Sequence, residues 1–262
     1  MQVYAEPRIL TARPGDEDMR RVPHLLYGHV SVREAYSVGR YQNDAAAVLG
    51  EARAMKRTPI FTGGTGMYFG ALTDGIAEIP PVPADVRENA AARRAELGAE
   101  DFFAELAARD PEAGARLRAS DTQRTLRAYE VLEGTGKPLS YWQKQTGTPV
   151  LNGMKLAKFV LSPDRAELHR RIDARFLAMM GEGAMDEAVA LSKLELAPSA
   201  AKILGLRELR AAHRGEIPRA EAVARAQAAT RQYAKRQLTW FRQRMSDWTW
   251  VETSDAIADN MI

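Results

Sequence analysis

The stretch Pro59-Ile60-Phe61-Thr62-Gly63-Gly64-Thr65-Gly66-Met67-Tyr68 decides how the rest of the sequence is read. A short apolar run enters a glycine-rich turn, and the turn opens onto a helical pattern. Strand, glycines and helix start, in that order, present backbone N–H groups at a helix N-terminus, where anions bind. The stretch therefore predicts an α/β protein with a phosphate or nucleotide site near this turn. Its spacing leaves three readings open. Gly64-x-Gly66 with Gly70 approximates a dinucleotide fingerprint, but the spacing is not G-x-G-x-x-G and no strand ending in an acidic residue follows. A Walker-type loop requires Gly-Lys-Ser/Thr, and no lysine follows these glycines. The third reading is a tight strand-to-helix turn that holds no ligand.

Working outward, residues 37–55 read as a helix whose apolar face is Ala45, Ala46, Val48, Leu49 and Ala52. A helix from Thr65 to Thr73 ends near Gly75, and Pro80-Pro81-Val82-Pro83 forms a stiff connector. Residues 84–147 read as wholly helical, in segments 85–97, 99–109, 111–118 and 120–133. Ser120 and Gln123 have the capping-box spacing. No strand candidate lies between Phe61 and Leu156, so a helical insertion, residues 81–147, is expected between two strands of a core made of residues 1–80 and 148–262. Further strands are expected at 157–161 and 248–251. Ser162-Pro163 opens a long helix with Leu168, Ile172, Phe176 and Met179 as its buried stripe. A second piece, 186–194, follows Gly181 and Gly183, and Pro218 opens the last long helix, to about Arg244. Residues 1–33 read as irregular, with Gly15-Asp16-Glu17-Asp18 an acidic turn.

Composition narrows the classes. The 262 residues are 45% apolar and 27% charged, as in ordinary globular proteins. The absence of cysteine excludes a disulfide framework, a cysteine zinc site and a cysteine nucleophile, and it fits a cytoplasmic protein. No apolar run approaches the roughly 20 residues that span a bilayer, so no membrane partner is expected. The net charge of +3 is a weak argument for nucleic acid, but basic residues gather between Arg219 and Arg244. His24, His29, His169 and His213 have no metal-ligand spacing. Gly134-Thr135-Gly136-Lys137 carries a lysine, but Pro138 takes the Ser/Thr place and no strand precedes it, which makes it a false match.

Three basic sets are candidate sites. Arg124 and Arg127 are three apart on one helical face, suited to phosphates by their forked donors, or else they form a solvated face with Gln123 as a capping partner. Arg175 lies beside a buried stripe and either clamps a leaving phosphate or snorkels from the apolar edge. Arg231, Lys235 and Arg242 share one face of the last helix, suiting nucleic acid, whereas Tyr233 and Phe241 fit the core.

Together the motifs resemble a known family. Met1-Gln2-Val3-Tyr4, Thr11-Ala12-Arg13-Pro14, Val22-Pro23-His24, Tyr36-Ser37, Gly63-Gly64-Thr65-Gly66-Met67-Tyr68, Asp121-x-Gln123-Arg124-x-x-Arg127, Thr135-Gly136-Lys137-Pro138-Leu139, Arg171-Ile172-x-x-Arg175-Phe176 and Lys235-Arg236-Gln237-Leu238-Thr239-Trp240 occur in the order of the bacterial tRNA dimethylallyltransferases. The resemblance runs nearly end to end. It implies a P-loop-kinase-like parallel sheet core with a helical insertion that grips a tRNA anticodon stem-loop. It also implies transfer of a dimethylallyl group from dimethylallyl diphosphate to N6 of the adenosine 3′ of the anticodon, with Mg²⁺ accompanying the diphosphate. By the same resemblance, Met1, Gln2, Thr65 and Arg87 contact tRNA, as do Gln123, Arg124, Thr125, Leu126 and Arg127. The basic face of Arg231 and Lys235 is assigned to tRNA as well. Arg175 steadies the departing pyrophosphate and, with Thr65, makes up the catalytic set within this chain. The chain is expected to act as a monomer.

The sequence departs from the family in two respects, the lesser being Tyr4-Ala5-Glu6-Pro7-Arg8 in place of the commoner Tyr-Arg-Gly-Met form. Members carry a first strand with a Gly-Pro-Thr-Ala-Ser-Gly-Lys-Ser/Thr loop, and an aspartate directly before Ser-Met-Gln. Neither occurs in these 262 residues. The sequence is therefore read as an N-terminally truncated member, lacking the first strand and phosphate loop, inactive or nearly so by itself, with apolar sheet-edge groups exposed. Two alternatives stand beside this reading: a non-catalytic RNA-binding module, and a nucleotide-kinase-like enzyme that binds ATP.

Overall fold

The computed structural model describes residues 1–145 and 147–259, and these form two compact units. The first comprises residues 1–69 and the chain from Gly153 onward; the second is Gly70–Asn152. The expected insertion began at 81 and ended at 147. The structure moves both limits outward because the flanking stretches hydrogen-bond to each other, Gly147 N–H to the Ile76 carbonyl (2.9 Å) and Leu151 N–H to the Leu72 carbonyl (3.0 Å).

In the first unit, α1 is Asp16–Arg21, α2 is Val38–Ala54 and α3 is Gly66–Thr73, which continues into the second unit. The sheet is a parallel pair, β1 (Phe159–Leu161) with β2 (Thr249–Val251), in the register Phe159 opposite Thr249 and Leu161 opposite Val251. A parallel pair requires a long crossover. Here it is helical: α8 (Arg165–Gly181), α9 (Ala184–Ser192), α10 (Leu206–His213) and α11 (Arg219–Arg244). A short α12 (Asp255–Asp259) follows β2. The expected stripe of α8 is buried at Ile172, Phe176 and Met179, and Phe176 and Met179 pack with Leu206, Leu209, Ala222 and Ala226. Tyr4 and Val30, joined by an isolated parallel bridge, complete the same core.

The structure corrects several expectations in this unit. Pro59-Ile60-Phe61 forms no strand, because no described segment pairs with it; Ile60 is 76% exposed. The helical unit consequently does not lie between two strands of one sheet, since β1 and β2 both follow it. The acidic turn at Gly15–Asp18 opens a helix, and the Gly15 N–H donates to the Asp18 carboxylate (3.0 Å). Asp164, rather than Ser162-Pro163, caps α8, accepting from Ala166 N–H (2.8 Å) and Glu167 N–H (3.0 Å).

The second unit is helical: α4 (Ala84–Arg109), α5 (Pro111–Arg116), α6 (Thr122–Thr135) and α7 (Leu139–Gln143). Gly98 breaks α4 with φ 79° and ψ 178°, so α4 is two helices, as the sequence segments predict. Arg93 before the break pairs with Glu105 after it (3.0 Å), and Tyr129 of α6 donates to the same carboxylate (2.7 Å). Phe102, Leu106, Ala128 and Tyr129 form the core beneath. Asp121 caps α6 in place of Ser120.

Candidate functional site

Each unit carries candidate residues. In the first, the turn at 62–66 leads into α3. The Thr65 carbonyl accepts from Tyr68 N–H (2.9 Å) and, more loosely, from Phe69 N–H (3.4 Å). Gln237 of α11 reaches the turn and donates from Nε2 to the Gly64 carbonyl at 2.7 Å. The Thr62 hydroxyl meets the Tyr27 hydroxyl at 3.3 Å. Behind the turn, Tyr68 stacks on Tyr41 with ring centres 4.0 Å apart. Burial pushes both phenols up, each to about 12 from an ordinary 10. A phenol whose pKa is raised by folding contributes stability that is complete below its unfolded value and is lost as pH climbs through the folded one. The stability these two phenols contribute should therefore fall between pH 10 and 12, and Tyr41→Phe with Tyr68→Phe should lessen the alkaline fall of the melting temperature, to which the raised phenol of Tyr36 still contributes.

The N-terminal segment is pinned from several sides. Gln2 donates from Nε2 to the Ala12 carbonyl (2.8 Å), and its own carbonyl accepts from Gly28 N–H (2.8 Å). Arg13 donates to the carbonyls of Tyr4 (3.1 Å) and Ala5 (2.8 Å). Glu187 of α9 accepts three successive backbone N–H groups, those of Arg8 (2.7 Å), Ile9 (2.9 Å) and Leu10 (2.8 Å). Met1 stands exposed at the start of this segment.

Arg175 of α8 lines a cavity beside this segment, with Arg8, Ile9, Arg13, Met179 and Glu187 among its walls. Its neighbour Arg171 is held by Glu167 at 2.6 Å, and the Glu167 carboxyl is drawn down to about 2 by hydrogen bonds from Arg170 and then Arg171. Arg175 makes no hydrogen bond or ion pair among the described residues. Glu6, Asp18 and Glu182 line the same cavity, so its charge is mixed, and Arg175 is the exposed, unpaired guanidinium there that can take an anion.

Arg231 differs from its sequence expectation. It forms an ion pair with Asp173 of α8, while Gln227 donates to the Asp173 carbonyl (3.0 Å). Arg231 therefore ties α11 to α8 and does not continue the basic face that Lys235 and Arg242 expose.

In the second unit, Gln123, Arg124 and Arg127 lie exposed at the start of α6. Arg124 meets Asp121 at 3.4 Å and Arg127 meets Glu130 at 3.5 Å, both loose i,i+3 pairs. Arg116, Arg118 and Arg124 line one shallow cavity there. Arg87, on α4, donates to the Val82 carbonyl (2.8 Å) and remains exposed. Thr125 and Leu126, expected in the same contact set, do not share that exposure. Thr125 is 1% exposed, with its hydroxyl bonded to the Asp121 carbonyl (3.0 Å), and Leu126 packs against the Phe102 core. Successive residues of a helix are rotated by about 100°, so a contiguous run of five cannot turn every side chain to one ligand.

The model of the IPP transferase family matches residues 2–244. The chain belongs to the IPP transferase family. A relative from Azorhizobium caulinodans, named tRNA dimethylallyltransferase, is 51% identical over 95% of this chain and 80% of its own. Another of that name, from Agrobacterium fabrum, is 46% identical over 96% of this chain and 86% of its own. Among IPP transferases of known structure, the full-length tRNA isopentenylpyrophosphate transferase of Bacillus halodurans superposes with a TM-score of 0.66 at 28% identity, covering 98% of this chain and 82% of that one. A eukaryotic dimethylallyltransferase acting on tRNA shares the fold at a TM-score of 0.77 and 21% identity, covering 96% of this chain and 65% of its own. The residues that sequence reasoning left without a role in this IPP transferase are Glu187 and Gln237. Gln237 lies in the quoted Lys235–Trp240 block, whereas Glu187 has no local signal at all.

Proposed function

We propose that this chain supplies the tRNA-binding and pyrophosphate-binding parts of a tRNA dimethylallyltransferase. The observation that carries this reading is Arg175, unpaired among the described residues and lining the cavity beside the segment that holds Met1 and Gln2. In the reaction, N6 of the adenosine bonds to the allylic carbon, the carbon–oxygen bond to the diphosphate breaks, and N6 gives up a proton to a carboxylate. The base must first leave its stack. Arg175 stabilises the charge that gathers on the leaving pyrophosphate, an interaction that strengthens toward the transition state. Met1, Gln2 and Thr65 contact the nucleotides around the target base, and Lys235 meets the RNA backbone. On the second unit, Arg87, Gln123, Arg124 and Arg127 bind the stem-loop phosphates.

Two further parts of the proposal concern what the 262 residues do not contain. The general-base carboxylate is the aspartate that the family carries before Ser-Met-Gln, and the diphosphate is cradled by a Gly-Lys-Ser/Thr loop; neither is in this sequence. Mg²⁺ would accompany the diphosphate. No group of three histidines or carboxylates able to hold a metal occurs among the described residues, so these residues offer no protein cage for the ion, and no step is assigned to it.

Purified 1–262, incubated with an anticodon stem-loop RNA, dimethylallyl diphosphate and Mg²⁺, should retain the RNA in a gel shift and leave its mass unchanged. Robust prenylation of the RNA would overturn the proposed need for the loop and aspartate. ATP binding without RNA binding would favour a nucleotide kinase.

A further inference from the structure

Gly66 has a requirement that no phosphate explains, and Gly64, where only the flexible end of Gln237 would have to move, shares it more weakly. Neither has a left-handed backbone. A Cβ on Gly64 would lie 1.9 Å from Gln237 Nε2, and one on Gly66 would lie 2.1 Å from the Trp240 ring. Gln237 and Trp240 are three apart on α11 and so share a face. Their side chains occupy the two places where the turn lacks side chains, and Gln237 adds a hydrogen bond to the Gly64 carbonyl at 2.7 Å. The glycines serve as a seat for α11.

We propose that Gln237, with Trp240 packed beside it, is a positioning residue of the tRNA modification, acting through the turn on Thr65. Thr65 is the only residue between the two seated glycines. Its carbonyl is already engaged by the first turn of α3, and the flanking contacts fix the backbone on either side of it. The Thr65 backbone is thereby held at one place at the mouth of α3. Lys235, two residues before Gln237, is exposed on the same helix. Thr65 and the basic face of α11 are thus set relative to each other by one hydrogen bond and one glycine–indole contact. The glycine-rich turn and the basic aromatic helix, read separately from sequence, form a single device.

The test has two arms, and only the second rests on the proposed tRNA role of Thr65. In Gln237→Glu the shape is kept but the donor is lost, and in Gln237→Met the polar group is removed. Hydrogen exchange of peptides covering residues 62–69 should quicken about tenfold in both variants, while peptides of α8 and α9 keep their wild-type rates. Unchanged exchange at 62–69 overturns the proposal. An equal rise throughout the first unit also overturns it, because Gln237 would then be a general stabiliser. The second arm measures anticodon stem-loop affinity for Gln237→Glu, Thr65→Val and the double variant. Action through Thr65 predicts that the double variant binds no more weakly than the worse single variant. Multiplying losses would mean that Gln237 acts on RNA independently of Thr65. Should Thr65→Val alone bind normally, the tRNA role of Thr65 fails, and the exchange arm still decides whether Gln237 positions the turn.

Discussion

Arg175→Gln should lower the rate of dimethylallyl transfer by about 10²–10³-fold in an active enzyme that contains this chain, with tRNA affinity unchanged. Arg170 and Arg171 are both held by Glu167, on the exposed face of α8. Arg175 sits one turn further on, next to buried Phe176, and has no carboxylate partner among the described residues. A cation without an internal partner can give its full charge-assisted hydrogen bonding to a ligand, and a leaving pyrophosphate gathers charge as the reaction proceeds. Glutamine keeps most of the length and one donor pair but loses the charge. The loss should therefore fall on kcat, with little effect on RNA binding. A normal kcat would remove Arg175 from the chemistry. A matched loss of tRNA affinity would move it to the RNA surface.

Arg124→Ala combined with Arg127→Ala should weaken anticodon stem-loop binding about 10- to 100-fold near 0.1 M salt. The slope of log affinity against log salt should become shallower by roughly 0.7–0.9 for each phosphate contact removed. Both side chains are exposed, and their pairs with Asp121 and Glu130, at 3.4 and 3.5 Å, are the loose surface kind that contribute little to folding. The double variant should fold with stability within about 1 kcal/mol of wild type, so lost affinity reports on the RNA. Thr125→Ala is the useful contrast. It removes a buried hydroxyl bonded to the Asp121 carbonyl, so it should lower stability without changing the salt slope. An unchanged slope in the Arg124/Arg127 variant would show that this face of α6 does not meet phosphates.

Much of the fold was legible because it rests on local periodicity. The α8 stripe, the break at Gly98 and the start of α11 after Pro218 follow from apolar spacing, a mid-helix glycine and a helix-opening proline. The apolar run at 59–61 misled because a strand is a property of a pair, and no residue within the run reveals whether a partner exists. Helix α10 escaped notice, since eight residues between glycines give a short periodic signal. At the sites, single positions such as Arg124 and Arg127 were readable from spacing. Arg231 was not, because its partner Asp173 is 58 residues away and on another helix. The same reason hid the grip of Glu187 on residues 8–10 and the reach of Gln237 to Gly64. These contacts depend on which helices pack together, which sequence spacing does not encode.

The central claim is that these 262 residues carry a tRNA-binding surface, and its most direct test is equilibrium binding of an anticodon stem-loop RNA to the purified chain from 50 to 300 mM salt. The account predicts measurable affinity that falls linearly on a log–log plot, with a slope that reflects several phosphate contacts and shrinks in the Arg124/Arg127 variant. No binding at 50 mM salt, or binding whose salt slope is indifferent to those arginines, would contradict it.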